Sequence, residues 1–390
     1  MTETIEEIGA GQLWRRGTVR ACPPEHTWAR VQPLLREAGV TRVADITRLD
    51  AVGIPVHSAM RPASRTLAVS QGKGLTAVLS AVSAVMEAIE LWFAERPREP
   101  EVRATPLAAL RDEVDYRLDQ LDLVTPSLLT DAYPLDWLAG RGLLTGRAAL
   151  LPSEYVLLDR TVREHWQPPL FAVTSNGLAS GNTGEEAALH ALCEIVERDC
   201  LARASADLTR RPIPLTGLGD PAVAELAGKL EASANELALY DITGPLGVPC
   251  VAATVRDATV PVTFGGFGCH PDVLVATARA ITEAVQQRLA TIAGTRDDLP
   301  FDLYPKIRAA SPQPPRTRPG TWYEPPASLP VPDFASALAE IGGRVRDTTG
   351  HEPIVVTLTG AADPIAVVKV VAPGLRLHTG RDLATAGGAR

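Results

Sequence analysis

The chain has 390 residues, 45% of them apolar, with 38 basic residues against 46 acidic and a formal charge of −8. That balance, without a basic run interleaved with aromatics, argues against nucleic acid as a partner. The length suits one large domain or two ordinary ones, and the acidic opening Met1-Thr-Glu-Thr-Ile-Glu-Glu7 lacks the apolar region of a secretory signal.

In chain order, the sequence opens with Gly17-Thr-Val-Arg20 and Pro24-Glu25-His-Thr27, and apolar spacing predicts a helix over 26–38. Residues 65–70 are expected to form a strand. Ser70-Gln-Gly-Lys-Gly-Leu-Thr76 then leads into residues 75–93, LTAVLSAVSAVMEAIELWF, long and apolar enough to span a bilayer. Glu87 and Glu90 lie in its second half, and carboxylates are costly at bilayer mid-depth, so a helix buried in protein is expected instead, with no membrane partner.

Strands are expected over 155–159 and 170–174. Ser175-Asn-Gly-Leu-Ala-Ser-Gly-Asn-Thr-Gly-Glu-Glu186 leads into a second long helix over 185–201. Further helices are expected over 222–235, 273–293 and 334–341, with strands over 237–242, 250–255, 262–267, 354–358 and 366–371. The nine prolines of 304–333 forbid a helix or central strand there and predict an exposed connection or lid. Interspersed elements without regular βαβ alternation predict an α/β (α+β) chain with mixed or mostly antiparallel sheets.

Five cysteines, Cys22, Cys193, Cys200, Cys250 and Cys269, form no C-x-x-C pair, which speaks against zinc, and their odd number suggests a reducing cytoplasm. Cys269-His270 has the composition of a thiol and its base, but adjacent residues at the end of a Gly-rich strand generally point apart.

The two long helices repeat one device. Ser83, Glu87 and Glu90 are spaced by four and three residues, and so are His190, Glu194 and Glu197, so each set shares a helix face. A lone E-x-x-E is usually a solvated face, but the neighbours here are Ala, Val, Met, Ile, Leu and Cys. Buried carboxylates must be neutralised by protons, cationic side chains or metal ions. If the helices pack together, four acids meet, and an all-oxygen cluster suits magnesium, which completes its shell with water and substrate phosphates. The glycine-rich entries to both helices fit close approach of backbone to an anion. Thr183 with Glu186 equally fits a capping box, and Gly72-Lys73-Gly74 lacks the spacing of a P-loop.

These motifs, followed by Glu194-x-x-Glu197-Arg198 and Glu283-Ala-Val-Gln286-Gln-Arg288-Leu, resemble the YcaO superfamily over about residues 17–374. Met86-Glu-Ala-Ile-Glu-Leu-Trp92 and the opening motif look most like members that act alone or with TfuA proteins. The resemblance implies an enzyme that uses ATP to phosphorylate a backbone amide oxygen in a ribosomally made precursor peptide. The nucleophile then decides the product: Cys, Ser or Thr gives an azoline, an N-terminal amine a macroamidine, and sulfide a thioamide.

The resemblance implies Mg2+ at Glu87, Glu90, Glu194 and Glu197, and nucleotide contacts from Arg20, Thr27, Ser83, His190 and Gln286. Arg288 would stabilise charge on the transferring phosphoryl group. Residues 1–64 would form a segment contributing to the nucleotide site, 65–390 the catalytic domain, and the assembly would be a cytoplasmic homodimer. Two features depart from the family pattern: Leu91 follows Glu90 where Arg is usual, and the end, Leu383-Ala-Thr-Ala-Gly-Gly-Ala-Arg390, lacks the proline-rich tail of azoline-forming members. Two other readings are a non-catalytic accessory that binds nucleotide or peptide, and an internal salt-bridge network of the four glutamates with Arg198 and Arg288.

Overall fold

A computed structural model of the chain describes residues 13–158, 168–207, 211–257, 262–297, 305 and 323–377. Gly17, at φ +63°, turns the short hairpin of β1 (Trp14–Arg15) and β2 (Val19–Arg20). Helix α1 (Pro24–Glu37) follows, with proline in its first turn, where no backbone N–H is needed. Strands β3 (Arg42–Asp45), β4 (Val56–Met60) and β5 (Val69–Lys73) form a three-stranded antiparallel sheet. It delivers the chain to α2 (Ala77–Ala94), capped by Thr76, whose Oγ1 accepts the Leu79 N–H at 3.3 Å.

A six-stranded sheet takes β6 (Val102–Pro106), β7 (Pro134–Gly142), β8 (Ala148–Pro152), β9 (Leu178–Gly181), β14 (Ile354–Thr357) and β15 (Ala366–Val371) in the order β6-β7-β14-β15-β9, with β8 also on β7. The single turn α3 (Ser153–Val156) leaves β8, and α4 (Gly184–Asp207) leaves β9. A four-stranded sheet in the order β10-β11-β12-β13 is built from β10 (Arg211–Ile213), β11 (Asn235–Asp241), β12 (Cys250–Asp257) and β13 (Thr263–Cys269). Around it lie α5 (Pro221–Ala232), α6 (Val273–Ala293) and α7 (Phe334–Thr349). Every strand pairing among the described residues is antiparallel, as the α+β expectation required.

The apolar stretch passes a membrane test by length and composition, yet 61% of it is buried within the protein. It is the central helix of the largest core, with Val85, Ile89 and Phe93 against Trp137, Leu151 and Phe171. A second core surrounds α4, and a third lies under α5 and α6.

Three strand expectations change. The apolar residues Tyr155 and Val156 are buried in the helical turn α3, because a short apolar run satisfies burial in either conformation. Residues 170–174 contribute only an isolated bridge, Phe171 to Leu123. The strand expected over 65–70 begins at Val69, because Glu95 captures the Thr66 N–H at 3.1 Å and the Ser64 hydroxyl at 2.7 Å, folding that segment into a turn. Most of the proline-rich segment and residues 378–390 fall outside the described residues. Its described end is strapped to the surface: Leu329 N–H donates to Pro271 O at 2.8 Å, and Leu329 and Val331 pack on the second core.

Candidate active site

Three strand-to-helix units build the site, and each is fused by a glycine. A Cβ on Gly72 of β5 would stand 2.0 Å from the backbone nitrogen of Ala84 in α2. One on Gly181 of β9 would stand 2.6 Å from Ala187 N in α4, and one on Gly266 of β13 2.2 Å from Ala284 N in α6. Only glycine lets strand and helix backbones touch in this way. Gly72 and Gly181 thus have a packing role that spacing alone did not reveal.

Each helix carries a half-buried polar stripe: Ser83, Glu87 and Glu90 on α2; His190, Glu194 and Arg198 on α4; Arg279 and Glu283 on α6. Glu197 and Gln286 lie fully buried beside them. The third helix repeats the interval of the first two, since Arg279, Glu283 and Gln286 are again four and three apart. The interval is legible in the sequence, whereas the expected site contains Gln286 and Arg288 but neither Arg279 nor Glu283.

Backbone groups of the strands orient the acids. Gln71 N–H donates to Glu87 Oε2 at 2.9 Å, Gly177 N–H to Glu194 Oε2 at 3.1 Å, and Ser180 N–H to Glu90 Oε1 at 2.8 Å. The Ser180 bond joins α2 to the strand that launches α4. Gln286 Nε2 donates to the Gln71 carbonyl at 3.0 Å, so one residue of β5 serves Glu87 of α2 through its N–H and Gln286 of α6 through its C=O. Lys73 reaches Glu283 at 2.5 Å, and Arg198 reaches Glu194 at 3.3 Å and Glu197 at 3.4 Å.

The electrostatics are those of crowded, desolvated carboxylates. Burial raises Glu87, and it pushes Glu90 up to about 8 and Glu197 to about 7; nearby Glu87 and Glu194 add to the first of these two shifts and Glu283 to the second. Burial acts on Glu283 in the same direction, but Lys73 and Arg198 outweigh it and hold that carboxyl below its ordinary range. His190 is kept neutral by burial and by the cations Arg279, Arg20 and Lys73. Among the described residues no three acidic, His or Cys side chains converge into a ready-made metal cage. The donor set is all oxygen, and its raised carboxyls are those a divalent cation would relieve.

The N-terminal residues approach from the start of α4. Arg20 contacts Glu186 at 3.3 Å, Ala21 N–H donates to Glu186 at 3.1 Å, and Thr27 Oγ1 donates to Asn182 Oδ1 at 2.9 Å. Glu186 N–H in turn bonds Thr183 Oγ1 at 3.1 Å, the forward half of the expected capping box. Arg20 lies close enough to His190 to depress it, so both belong to one electrostatic neighbourhood. The capping box picks out Glu186 only as a helix entry, and Asn182 carries no motif, so their hold on Arg20 and Thr27 is visible only in the structure.

Arg288 is placed differently. Nine residues beyond Arg279, it lies half a helical turn away, where its Nε meets Asp50 at 3.0 Å and its guanidinium stands 5.6 Å from the Phe264 ring centroid. Arg279, by contrast, acts on His190, and together with Arg198 on Glu197 and Glu283. Of the two arginines in the proposed salt-bridge network, Arg198 joins Glu194 and Glu197, whereas Arg288 pairs with Asp50.

Residues 71–376 match the family model described as "YcaO cyclodehydratase, ATP-ad Mg2+-binding". An uncharacterized protein of Mycobacterium tuberculosis is 40% identical over 380 residues, covering 95% of this chain and 85% of the relative. A protein encoded in the tfuA 3' region of Rhizobium leguminosarum bv. trifolii is 36% identical over 378 residues, covering 92% of this chain and 89% of that protein. In fold, the chain superposes on the structure of YcaO from Methanopyrus kandleri bound with AMPPCP and Mg2+, with a TM-score of 0.69 and 24% identity, covering 94% of this chain and 97% of the other. It also superposes on a heterocyclase in complex with substrate and cofactor, with a TM-score of 0.78 and 23% identity over 96% of this chain and 55% of that one.

Proposed function

This chain belongs to the YcaO family, described as ATP- and Mg2+-binding cyclodehydratases, and on that premise we propose that it activates backbone amides of a ribosomally made precursor peptide. The observation that carries this reading is that three helices each bring a glutamate into one electrostatic neighbourhood: Glu87 feels Glu194, and Glu283 faces Lys73 and Arg198, the arginine that pairs with Glu194.

In the proposed reaction a nucleophile adds to the amide carbon, and the former carbonyl oxygen takes the γ-phosphoryl group of ATP, releasing ADP. Phosphate then departs with that oxygen. An attacking Cys, Ser or Thr side chain leaves an azoline, an N-terminal amine a macroamidine, and sulfide a thioamide. Bound Mg2+ would neutralise phosphate charge, held by Glu87, Glu90, Glu194 and Glu197. Ser83, His190 and Gln286 would line the nucleotide, with Arg20 and Thr27 closing over it from the N-terminal segment. We assign the charge-stabilising role to Arg279 and give Arg288, tied to Asp50, a structural one. Lys73 and Arg198 keep Glu283, Glu194 and Glu197 compatible with one another in a shared space.

Similarity to a protein from a tfuA region favours a TfuA-like partner and hence sulfide as nucleophile. We place the enzyme in the cytoplasm and expect a homodimer. The test is to incubate candidate precursors with ATP, with and without such a partner and sulfide, and weigh the products. Loss of one water signals cyclodehydration, and exchange of oxygen for sulfur signals thioamidation; unchanged peptide and no ADP across all precursors would reject the catalytic reading. A second reading has its own support, because Arg198 already pairs with Glu194 and Glu197. It makes the acids a closed salt-bridge network, and it predicts no Mg2+-dependent nucleotide binding by calorimetry.

A further inference from the structure

Lys369 is a buried lysine in the middle of a strand that otherwise reads as pure core. In β15 the residues on its face, Val367 and Val371, pack into the first core, and Lys369 between them is 2% exposed. An ammonium in that position is costly and needs compensation. Its Nζ donates to the Thr174 carbonyl at 2.7 Å, with Glu194 and Asp122 as the surrounding countercharges.

Thr174 opens the turn that leads into β9. Its Oγ1 accepts the Asn176 N–H at 3.3 Å, Leu178 N–H closes on Ser175 O at 2.8 Å, and Val370, the residue after Lys369, donates to Gly177 O at 2.8 Å. Gly177 sits at φ +75°, and a Cβ there would stand 2.2 Å from Val370 O. The product of this turn is one N–H, that of Gly177, aimed at Glu194 Oε2 at 3.1 Å.

We propose that Lys369 is a positioning residue for Glu194: its ammonium clamps the Thr174 carbonyl, which fixes the turn whose Gly177 N–H holds the Glu194 carboxylate in place. The proposal rests on the reading of Glu194 as a Mg2+ ligand. Charge alone predicts the opposite sign, because removing a cation close to the site should tighten binding of Mg2+. Clamping of the turn predicts weakening.

The experiment is calorimetric titration of a non-hydrolysable ATP analogue into the full chain at a series of Mg2+ concentrations. Wild-type protein is measured first, and if it shows no Mg2+-dependent binding the site assignment itself fails. Lys369→Met removes both charge and donor, and should raise the half-saturating Mg2+ concentration about tenfold, as loss of a group that orients a metal ligand does. Metal-free analogue affinity should stay within about twofold, because Lys369 touches no nucleotide contact. Lys369→Gln, which keeps an N–H donor, should recover to within about threefold of wild type. Thr174→Val loosens the same turn from the half-buried Oγ1 side without disturbing Lys369, and should shift the Mg2+ requirement in the same direction, so the proposal stays testable if Lys369→Met does not fold. An unchanged or tightened Mg2+ requirement in Lys369→Met, or equal losses with and without metal, would overturn the proposal.

Discussion

The N–H and the hydroxyl of Ser180, on β9, both donate to one oxygen of Glu90 on α2, at 2.8 and 2.5 Å. This pair of bonds locks the first acidic helix to the strand that launches the second. Burial outweighs these two bonds, which by themselves lower the carboxyl, so that Glu90 keeps its proton up to about 8 in the folded chain.

A pH dependence follows for the metal-free protein. Glu90 and Glu197 titrate near their ordinary 4.5 when unfolded but near 8 and 7 when folded, so the native state binds more protons between those limits. Their contribution to stability is complete below about pH 4.5 and is lost as pH rises through 7 to 8. Thermal melts in chelator should therefore fall over that range, and Mg2+ with nucleotide should restore part of the loss. Melting temperatures that rose steadily from pH 5 to 8 in chelator would contradict this account.

Glu90→Gln removes the buried charge while keeping the shape. At pH 8 without metal it should melt higher than wild type, by about 2–4 °C for ~1 kcal/mol, and it should no longer be stabilised by Mg2+ with nucleotide. A lower melting temperature at pH 8 would show that the carboxylate is compensated within the protein.

Glu87→Gln and Glu194→Gln should each lower precursor-dependent ADP release by about 100-fold or more while leaving circular dichroism and melting nearly unchanged. Glu283→Gln should behave in the same way, because it occupies the same position in the third stripe. Full turnover in the first two variants would remove the metal role.

Arg279 and Arg288 should separate in kind. Arg279→Met should lose turnover by about 1,000-fold with the fold intact, as loss of a charge-stabilising arginine does. Arg288→Met strands Asp50, itself buried, and should cost about 3–5 kcal/mol of stability while the folded fraction keeps its activity. Urea unfolding beside a turnover assay distinguishes the two patterns, and the reverse assignment would restore Arg288 to the reaction.

Among the glycines, Gly72→Ala drives a methyl group into the backbone of α2 and should destabilise by about 3 kcal/mol or abolish soluble expression. Gly184→Ala meets nothing within 4 Å and should stay within about 0.5 kcal/mol of wild type. Equal tolerance at both positions would mean that β5 does not rest on α2.

Much of this architecture was legible without coordinates. Helical periodicity fixes which residues of one helix share a face, so spacing groups Ser83, Glu87 and Glu90 on α2 and His190, Glu194 and Glu197 on α4, although Glu197 lies deeper than the half-buried His190 and Glu194, and the cost of buried charge already makes α2 a core helix rather than a membrane span. Strands with strong apolar or β-branched patterns, such as Ala366–Val371, were found, whereas polar β3 and the short β9 were not. Polar β3 is the edge strand of its sheet, and β9 pairs with β15 far along the chain, so neither leaves a strong local signature.

Periodicity says nothing about which way a helix is turned, and that was decided by packing. Gly266 against Ala280 and Ala284 sets the rotation of α6, which brings Arg279 and Glu283 to the acids and carries Arg288 round to Asp50. The same close packing gives Gly72 and Gly181 their helix-fusing role. The sequence by itself determined the acids, their spacing and the family they resemble; only the tertiary structure decided which faces meet, because contact between backbones at glycine, not the pattern along any one helix, fixes their relative rotation.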